Sequence, residues 1–403
     1  MFKKMILQVG IKFLAIICGI FVARWLNNNL TIQENADYAV IVSYNSTLLL
    51  LVTLGLPTLT QKFYTNIDDQ KMLANYWATS VWIRLASYVV SLIIIVLSHR
   101  LVGIKDLYLT LAIFSAQFIL LADQAYRSIC DSKGKSWQFS TTDLVGKIIL
   151  VMGLYGSYLV FKPTLWIFAS LSILAYTICI VLDSIWQKKD TTFGKFDVTI
   201  IKSELGAIGF LSLSDIINGI YSKTDVLFLK NTLVSNIDLV SYSNGYKLFE
   251  IVTIVSGLTM PVLGSKLIQK LKVNPESRSE FPKYYAIVTL AGILIGLGTF
   301  ALSGVAAWVI DPTGRYIQTK GILSLLSIVV AILFPTLLSS DLLNLSGMER
   351  KQFWSKVITG LVAIIGYLIL IPKYGIWGAG YATIIFFSVE CVVKGYFVWR
   401  YVK

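Results

Sequence analysis

The chain has 403 residues, of which 56% are hydrophobic and only 14% charged, with a mean hydropathy of +0.72. Soluble globular domains do not carry this balance, and apolar runs recur along the whole length, so the composition specifies a polytopic helical membrane protein. The formal charge of +13 does not indicate a nucleic-acid partner, because the cations fall mostly in short connections between apolar runs, where they set topology.

The N-terminal stretch MFKKMILQVGIKFLAIICGIFVARW opens with lysines, as a signal peptide would. Its apolar segment is too long for one, and it ends in Arg-Trp without a small-residue cleavage site, so it is expected to remain as the first span. A window of about 19 residues predicts twelve spans. They fall near 5–26, 38–60, 73–98, 107–128, 140–161, 164–184, 205–229, 240–265, 284–310, 321–346, 353–371 and 375–398. The narrowest division is Phe161-Lys162-Pro163, where proline separates two spans. Lys and Arg at alternate span ends number 21 on one side and 7 on the other, which places both termini in the cytoplasm.

The polar, basic segment QKKDTTFGKFDVTIIKSE divides the spans in half. The predicted organisation is a six-helix bundle over 1–186, a cytoplasmic linker over 187–204 and a second six-helix bundle over 205–403. A weak internal repeat supports it: at an offset of 204, Asn27 falls on Asn231, Tyr38 on Tyr242, Leu54 on Leu258, Pro57 on Pro261 and Lys62 on Lys266. Repeats in the same orientation are expected of two bundles related about the membrane normal.

Charge inside the spans is costly, roughly 2.5 to 3.5 kcal/mol for an ionised side chain at the helix centre, so such a residue should face a partner or a watery cavity. The stretch 206–266 concentrates it. Span seven carries Asp215, Asn218, Ser222 and Asp225 at i, i+3, i+7 and i+10, the spacing of one helical face, together with Lys223. Span eight carries Lys247 and Glu250 at i, i+3, close enough to pair. Lys223 and Lys247 fall at about one depth, roughly 10 Å inside. Two readings stay open: a cavity lining, or a network in which Lys223, Asp225, Lys247 and Glu250 neutralise one another.

Span three carries a second polar stripe, Ser80, Arg84, Ser87 and Ser91. Arg84 cannot shed its proton, so it must meet an anion, a carbonyl or water. Lys12 and Lys147 sit in the inner parts of spans one and five. Arg24 closes span one beside Trp25, either as an interface anchor or as the outer end of a cationic track suited to an anionic headgroup. Asp123, beside Gln117 and Gln124 on span four, is a candidate proton or ion site. Glu390 and Lys394, at i, i+4, read as a helix-stabilising pair.

Catalytic and metal motifs are missing from the sequence. His99 is the only histidine and sits beside Arg100 at a span end, and no phosphate-binding glycine loop or HExxH occurs. Cys18, Cys130, Cys179 and Cys391 lack metal spacing and read as small buried hydrophobes. The chain is therefore expected not to be an enzyme and to need no cofactor.

Three stretches carry a resemblance: VARWLNNNLTIQENADYAV with LVTLGLPTLTQKFY, TDVLFLKNTLVSNIDLVSYSNGYKLFE with TMPVLG, and LNLSGMERKQFWSKV with LILIPKYGIWGAGYATII. In these the chain resembles the polysaccharide and O-antigen flippase branch of the multidrug/oligosaccharidyl-lipid/polysaccharide (MOP) flippase superfamily, although LNNN stands where members often have a Leu-Gly pair. The resemblance implies a V-shaped pair of six-helix bundles in the bacterial cytoplasmic membrane. It implies alternating access that moves an undecaprenyl-diphosphate-linked oligosaccharide from the inner to the outer leaflet, with polysaccharide polymerase and chain-length proteins as further partners. The family's cationic cavity would correspond to Lys223 and Lys247, with Arg84 and Lys12. The competing readings are a drug or metabolite exporter of the same fold and a membrane-embedded polymerase or ligase, for which the chain offers no sizeable outer loop.

Overall fold

The computed structural model describes residues 2–53, 56–67, 69–232, 234–273 and 281–402. Fourteen α-helices and no strands occur among them, and twelve of the helices have 22 residues or more. In chain order they are α1 (Phe2–Asn29), α2 (Ile32–Thr53), α3 (Leu56–Asn66), α4 (Gln70–Ser98), α5 (Leu107–Ser132), α6 (Ser136–Ser157), α7 (Leu165–Trp186) and α8 (Val198–Lys223). They continue as α9 (Asp225–Lys230), α10 (Asn236–Val273), α11 (Phe281–Ile310), α12 (Thr319–Leu345), α13 (Glu349–Tyr374) and α14 (Ile376–Val402). Eight of them pass a strict test of length and apolarity for crossing a bilayer. The expected twelve spans map onto α1, α2 with α3, α4 to α7, α8 with α9, and α10 to α14. The protein is an all-α polytopic membrane protein.

Local sequence explains where the helices stop. The aspartate side chains of Asp69 and Asp106 accept the amides of Lys71 and Leu109 at 2.9 Å each, capping α4 and α5. The break at Phe161-Lys162-Pro163 is present: α6 ends at Ser157, and Thr164 caps α7. Gly347, at φ 71°, makes the turn from α12 to α13 in a conformation that a side chain would strain.

The chain forms two compact units, Met1–Ser212 and Leu213–Lys403. In the first, α5 is central, packed against α2, α3 and α7, while α6 joins α1 to α7. Cys179 of α7 points its thiol at the Thr142 carbonyl of α6, 3.3 Å away, and Cys130 is buried. In the second, α12 is the axis, in contact with α10, α11 and α14. Its most apolar window is 61% buried against 22% for α11, so α11 is a lipid-facing helix and α12 a core helix.

Residues 187–197, between α7 and α8, are irregular in backbone yet tied down along α4. The amides of Gly194, Lys195 and Asp197 donate to Ala74 O (3.1 Å), Asn75 Oδ1 (2.8 Å) and Thr79 Oγ1 (3.0 Å). Tyr64 donates its hydroxyl to Asp190 O at 2.8 Å, and Lys133 pairs with the Asp190 carboxylate. A Cβ on Gly194 would come within 2.6 Å of the Ala74 carbonyl carbon, so only glycine allows this approach. The expected linker is thus a strap docked on the first unit, and α8 begins at Val198. Asp197 closes it by accepting the amide and hydroxyl of Thr199, which holds its carboxyl below the ordinary value.

Candidate functional site

The charges of span seven sit at an interruption. Thr224 separates α8 from α9, which puts Lys223 at the end of one helix and Asp225 at the start of the next. Carbonyls at a helix end have lost their i+4 donors, and in a bilayer that loss must be made good inside the protein. Tyr367 of α13 donates its hydroxyl to Tyr221 O at 2.9 Å, and Tyr246 of α10 donates to Ser222 O at 3.2 Å. Val226 donates its amide to the Asp225 carboxylate at 2.8 Å. The interruption is therefore satisfied by tyrosines from two neighbouring helices.

The polar residues predicted on one face of span seven meet different neighbours. Asn218 reaches Lys356 of α13, whereas Asp225 turns into the core, 3% exposed, to accept the Tyr242 hydroxyl of α10. Thr224 itself stays right-handed helical, with its amide on Ile220 O and its carbonyl accepting the Phe228 amide, so the two side chains meet different neighbours because they lie about two turns apart along a bent helix. The side chain of Asp215 lies outside the described residues. Glu250 takes Lys223 as its ion-pair partner, while Lys247, one turn earlier on α10, adds to its field. With Lys223 36% and Glu250 43% exposed, and the Lys223 ammonium 5.8 Å from the Tyr246 ring centre, this pair borders open space.

A second polar cluster in the same unit has a buried centre, Glu390 and Lys394, with Lys356 at its partly exposed edge. Glu390 of α14 takes two lysines on one oxygen, Lys356 of α13 at 2.7 Å and Lys394 one turn along its own helix. Tyr221 donates to the other Glu390 oxygen at 3.2 Å, Lys356 also reaches Asn218 and Tyr221, and Lys394 reaches Ser340 of α12. Glu390 and Lys394 form the pair expected within α14. The same pair also ties α8, α12, α13 and α14 together. Lys356, counted from the sequence as an inner-face topology cation, is its third member.

In the first unit, the α4 stripe faces inward: Ser80, Arg84 and Ser91 are 1%, 6% and 0% exposed. Arg84 carries five N–H donors. Among the described residues it meets only the Ser80 hydroxyl, at 3.4 Å, and the electrostatic influence of Tyr76 and Tyr126; no carboxylate pairs with it. Asp123 of α5 faces Asp183 of α7 within hydrogen-bonding reach, and Asp183 also accepts the Thr142 hydroxyl at 2.8 Å. One oxygen of each carboxyl has no partner among the described residues.

Lys12 lies among Arg127, Asp131 and Asp143, where Arg127 pairs with Asp131 at 3.5 Å and Lys147 with Asp143 at 3.1 Å. This is a mixed network, so Lys12 and Lys147 do not stand as isolated cations. Arg24 is half-buried near Tyr155, and its neighbour Trp25 is 1% exposed. Trp25 is therefore a core residue and not part of an interfacial belt, which leaves the anchor reading of Arg24 without its aromatic partner. Sequence reasoning passed over Asp183, whose signal was an acid within an otherwise apolar span.

No family model and no curated relative matches the chain. Solved structures do. An inward-facing multidrug resistance MATE family transporter of the MOP superfamily superposes with a TM-score of 0.79 at 12% identity, covering 99% of this chain and 98% of that one. A variant of the Vibrio cholerae MATE transporter VcmN gives 0.67 at 12% identity, over 98% and 96%. A MOP superfamily transporter from Pyrococcus furiosus, described as having a binding pocket of reverse polarity that suggests a different function, gives 0.61 at 12% identity over 98% and 94%. The chain has the fold of the MOP-superfamily membrane transporters.

Proposed function

We propose that this protein is a flippase that carries an anionic, lipid-linked oligosaccharide, of the undecaprenyl-diphosphate class, from the inner to the outer leaflet by alternating access. The observation that carries the reading is Arg84: a permanently charged side chain, buried in a membrane helix, with no carboxylate beside it among the described residues. Such a cation is costly unless an anion or water joins it. A diphosphate supplies that anion, and an arginine fork suits phosphate oxygens. The polyprenyl chain can remain in lipid throughout. Lys223 and Lys247 supply the corresponding charge in the second unit, and the interrupted helix beside them is the kind of element around which transporters build sites. Both termini are assigned to the cytoplasm, and glycan polymerase and chain-length proteins are the expected partners.

A second reading has its own observation. The Asp123–Asp183 pair is a buried acidic site, which suits an exporter of cationic compounds. Deleting the gene and analysing lipid-linked sugars separates them. Accumulation of a lipid-linked oligosaccharide on the inner leaflet, restored to normal by the wild-type chain but not by Arg84→Met, supports the flippase. Altered glycan chain length points to a polymerase, and unchanged lipid-linked sugars with raised drug sensitivity point to the exporter.

A further inference from the structure

The strap on α4 makes a site that the transport reading does not use. α4 has 29 residues and is about 43 Å long, against a hydrocarbon core of about 30 Å. Its far end stays apolar and exposed through Ile93, Val96 and Leu97, and polarity returns at His99 and Arg100. Counting about 20 residues back from Ser98 puts the other boundary near residue 78. The strap crosses that level. Its Lys195 amide is bonded beside Asn75, outside the boundary, and its Asp197 amide at Thr79, on it. Phe196 then covers an open groove of about 360 Å³ with Trp82, Ile83 and Ala86, which lie about 6 to 12 Å inside. Trp82 and Phe196 are 52% and 51% exposed to the surroundings.

The charge of the strap is net positive. Lys188, Lys189 and Lys195 are exposed and form no ion pair among the described residues. Asp190 is paired with Lys133, while Asp197 keeps its charge under hydrogen bonds from Thr199, so three unpaired cations stand against one unpaired acid. An apolar groove inside the boundary with unpaired ammonium groups just outside it matches an amphiphile that has an anionic head and an acyl chain.

We propose that the strap and α4 form a binding site for one anionic phospholipid of the surrounding leaflet, with its acyl chain along Trp82, Ala86 and Phe196 and its phosphate at Lys195. The interaction holds the strap, and with it the start of α8, against the first unit. This does not depend on what the protein transports.

The test uses the full chain reconstituted in phosphatidylcholine vesicles containing increasing fractions of acyl-brominated phosphatidylglycerol or acyl-brominated phosphatidylcholine. The Trp82 contribution to fluorescence is isolated by difference from Trp82→Phe. Trp82 should be quenched at about fivefold lower mole fraction of the anionic lipid per lysine engaged, the change corresponding to ~1 kcal/mol per basic residue at a membrane surface. Lys195→Ala should reduce that preference about fivefold while leaving quenching by the zwitterionic lipid unchanged, and Ala86→Phe, which fills the groove, should reduce quenching by both lipids. Equal quenching by the two lipids in the wild type would overturn the proposal, as would a preference that survives replacement of Lys188, Lys189 and Lys195 together.

Discussion

The Glu390 cluster allows the most direct test of how charge is balanced in the second unit. Glu390 is the shared counter-ion of Lys356 and Lys394, with side-chain exposures of 2%, 12% and 1%. Replacing it by glutamine keeps the volume, removes the charge and turns one of its two accepting oxygens into an amide donor, so either the lysines or Tyr221 lose their acceptor as well. Two ammonium groups then face each other without compensation, and breaking a buried pair in this way costs about 3–5 kcal/mol. Adding Lys394→Met removes the more deeply enclosed cation. Lys356 keeps Asn218 and Tyr221, so the double variant should recover most of the loss, with a coupling energy of about 2–3 kcal/mol. The assay is reversible unfolding by steric trapping in bicelles, with a tag pair on helices of the second unit. Asp143→Asn provides the contrast: it breaks a pair with Lys147 that is 25% and 32% exposed, and should cost at most about 1 kcal/mol. If Glu390→Gln matches the wild type within about 1 kcal/mol, or if the double variant loses the sum of the two single effects, the cluster does not balance charge as argued.

Tyr367→Phe should cost about 1–3 kcal/mol by leaving the buried Tyr221 carbonyl without a donor, and Tyr246→Phe less, since its partner is part-buried; the same unfolding assay ranks them, and equal, negligible losses would mean that the interruption needs no tyrosine. Gly194→Val must push the strap off α4, so trypsin should cut at Lys188, Lys189 and Lys195 faster than in the wild type; unchanged cleavage would show that the strap does not depend on this close approach. Lys223→Ala and Lys247→Ala should each lower surface glycan with the protein still in the membrane, and normal display in both variants would remove the diphosphate site from the second unit.

Fold and site differ in how far the sequence alone carries them. Hydropathy found the spans because crossing a bilayer is a property of each segment alone, and even the Pro163 break shows in three residues. It could not foresee that Thr224 would interrupt α8, since threonine is common inside membrane helices and the interruption is held open by Tyr246 and Tyr367 from elsewhere in the chain. Spacing reports a shared face but not which neighbour each turn meets, and Asn218 and Asp225, about two turns apart, serve different ones. Partners on other helices escape periodicity for a related reason. It reports only partners on one helix, and so it gave Glu390 to Lys394, which the structure shows, and Glu250 to Lys247, with Lys223 entering only through the network reading. Glu250 pairs with Lys223 from another helix at a half-open site, and the enclosed Glu390 accepts Lys356 in addition to Lys394, because a carboxylate gains from whichever cations the packing brings closest. Asp123 and Asp183 show the same limit from the opposite side: 60 residues apart, they gain meaning only when α5 packs on α7. Arg84 differs, because its demand for an anion follows from its unlosable charge and its position in an apolar span, both visible in the sequence. Packing supplied it no carboxylate among the described residues, and the proposed function rests on that observation.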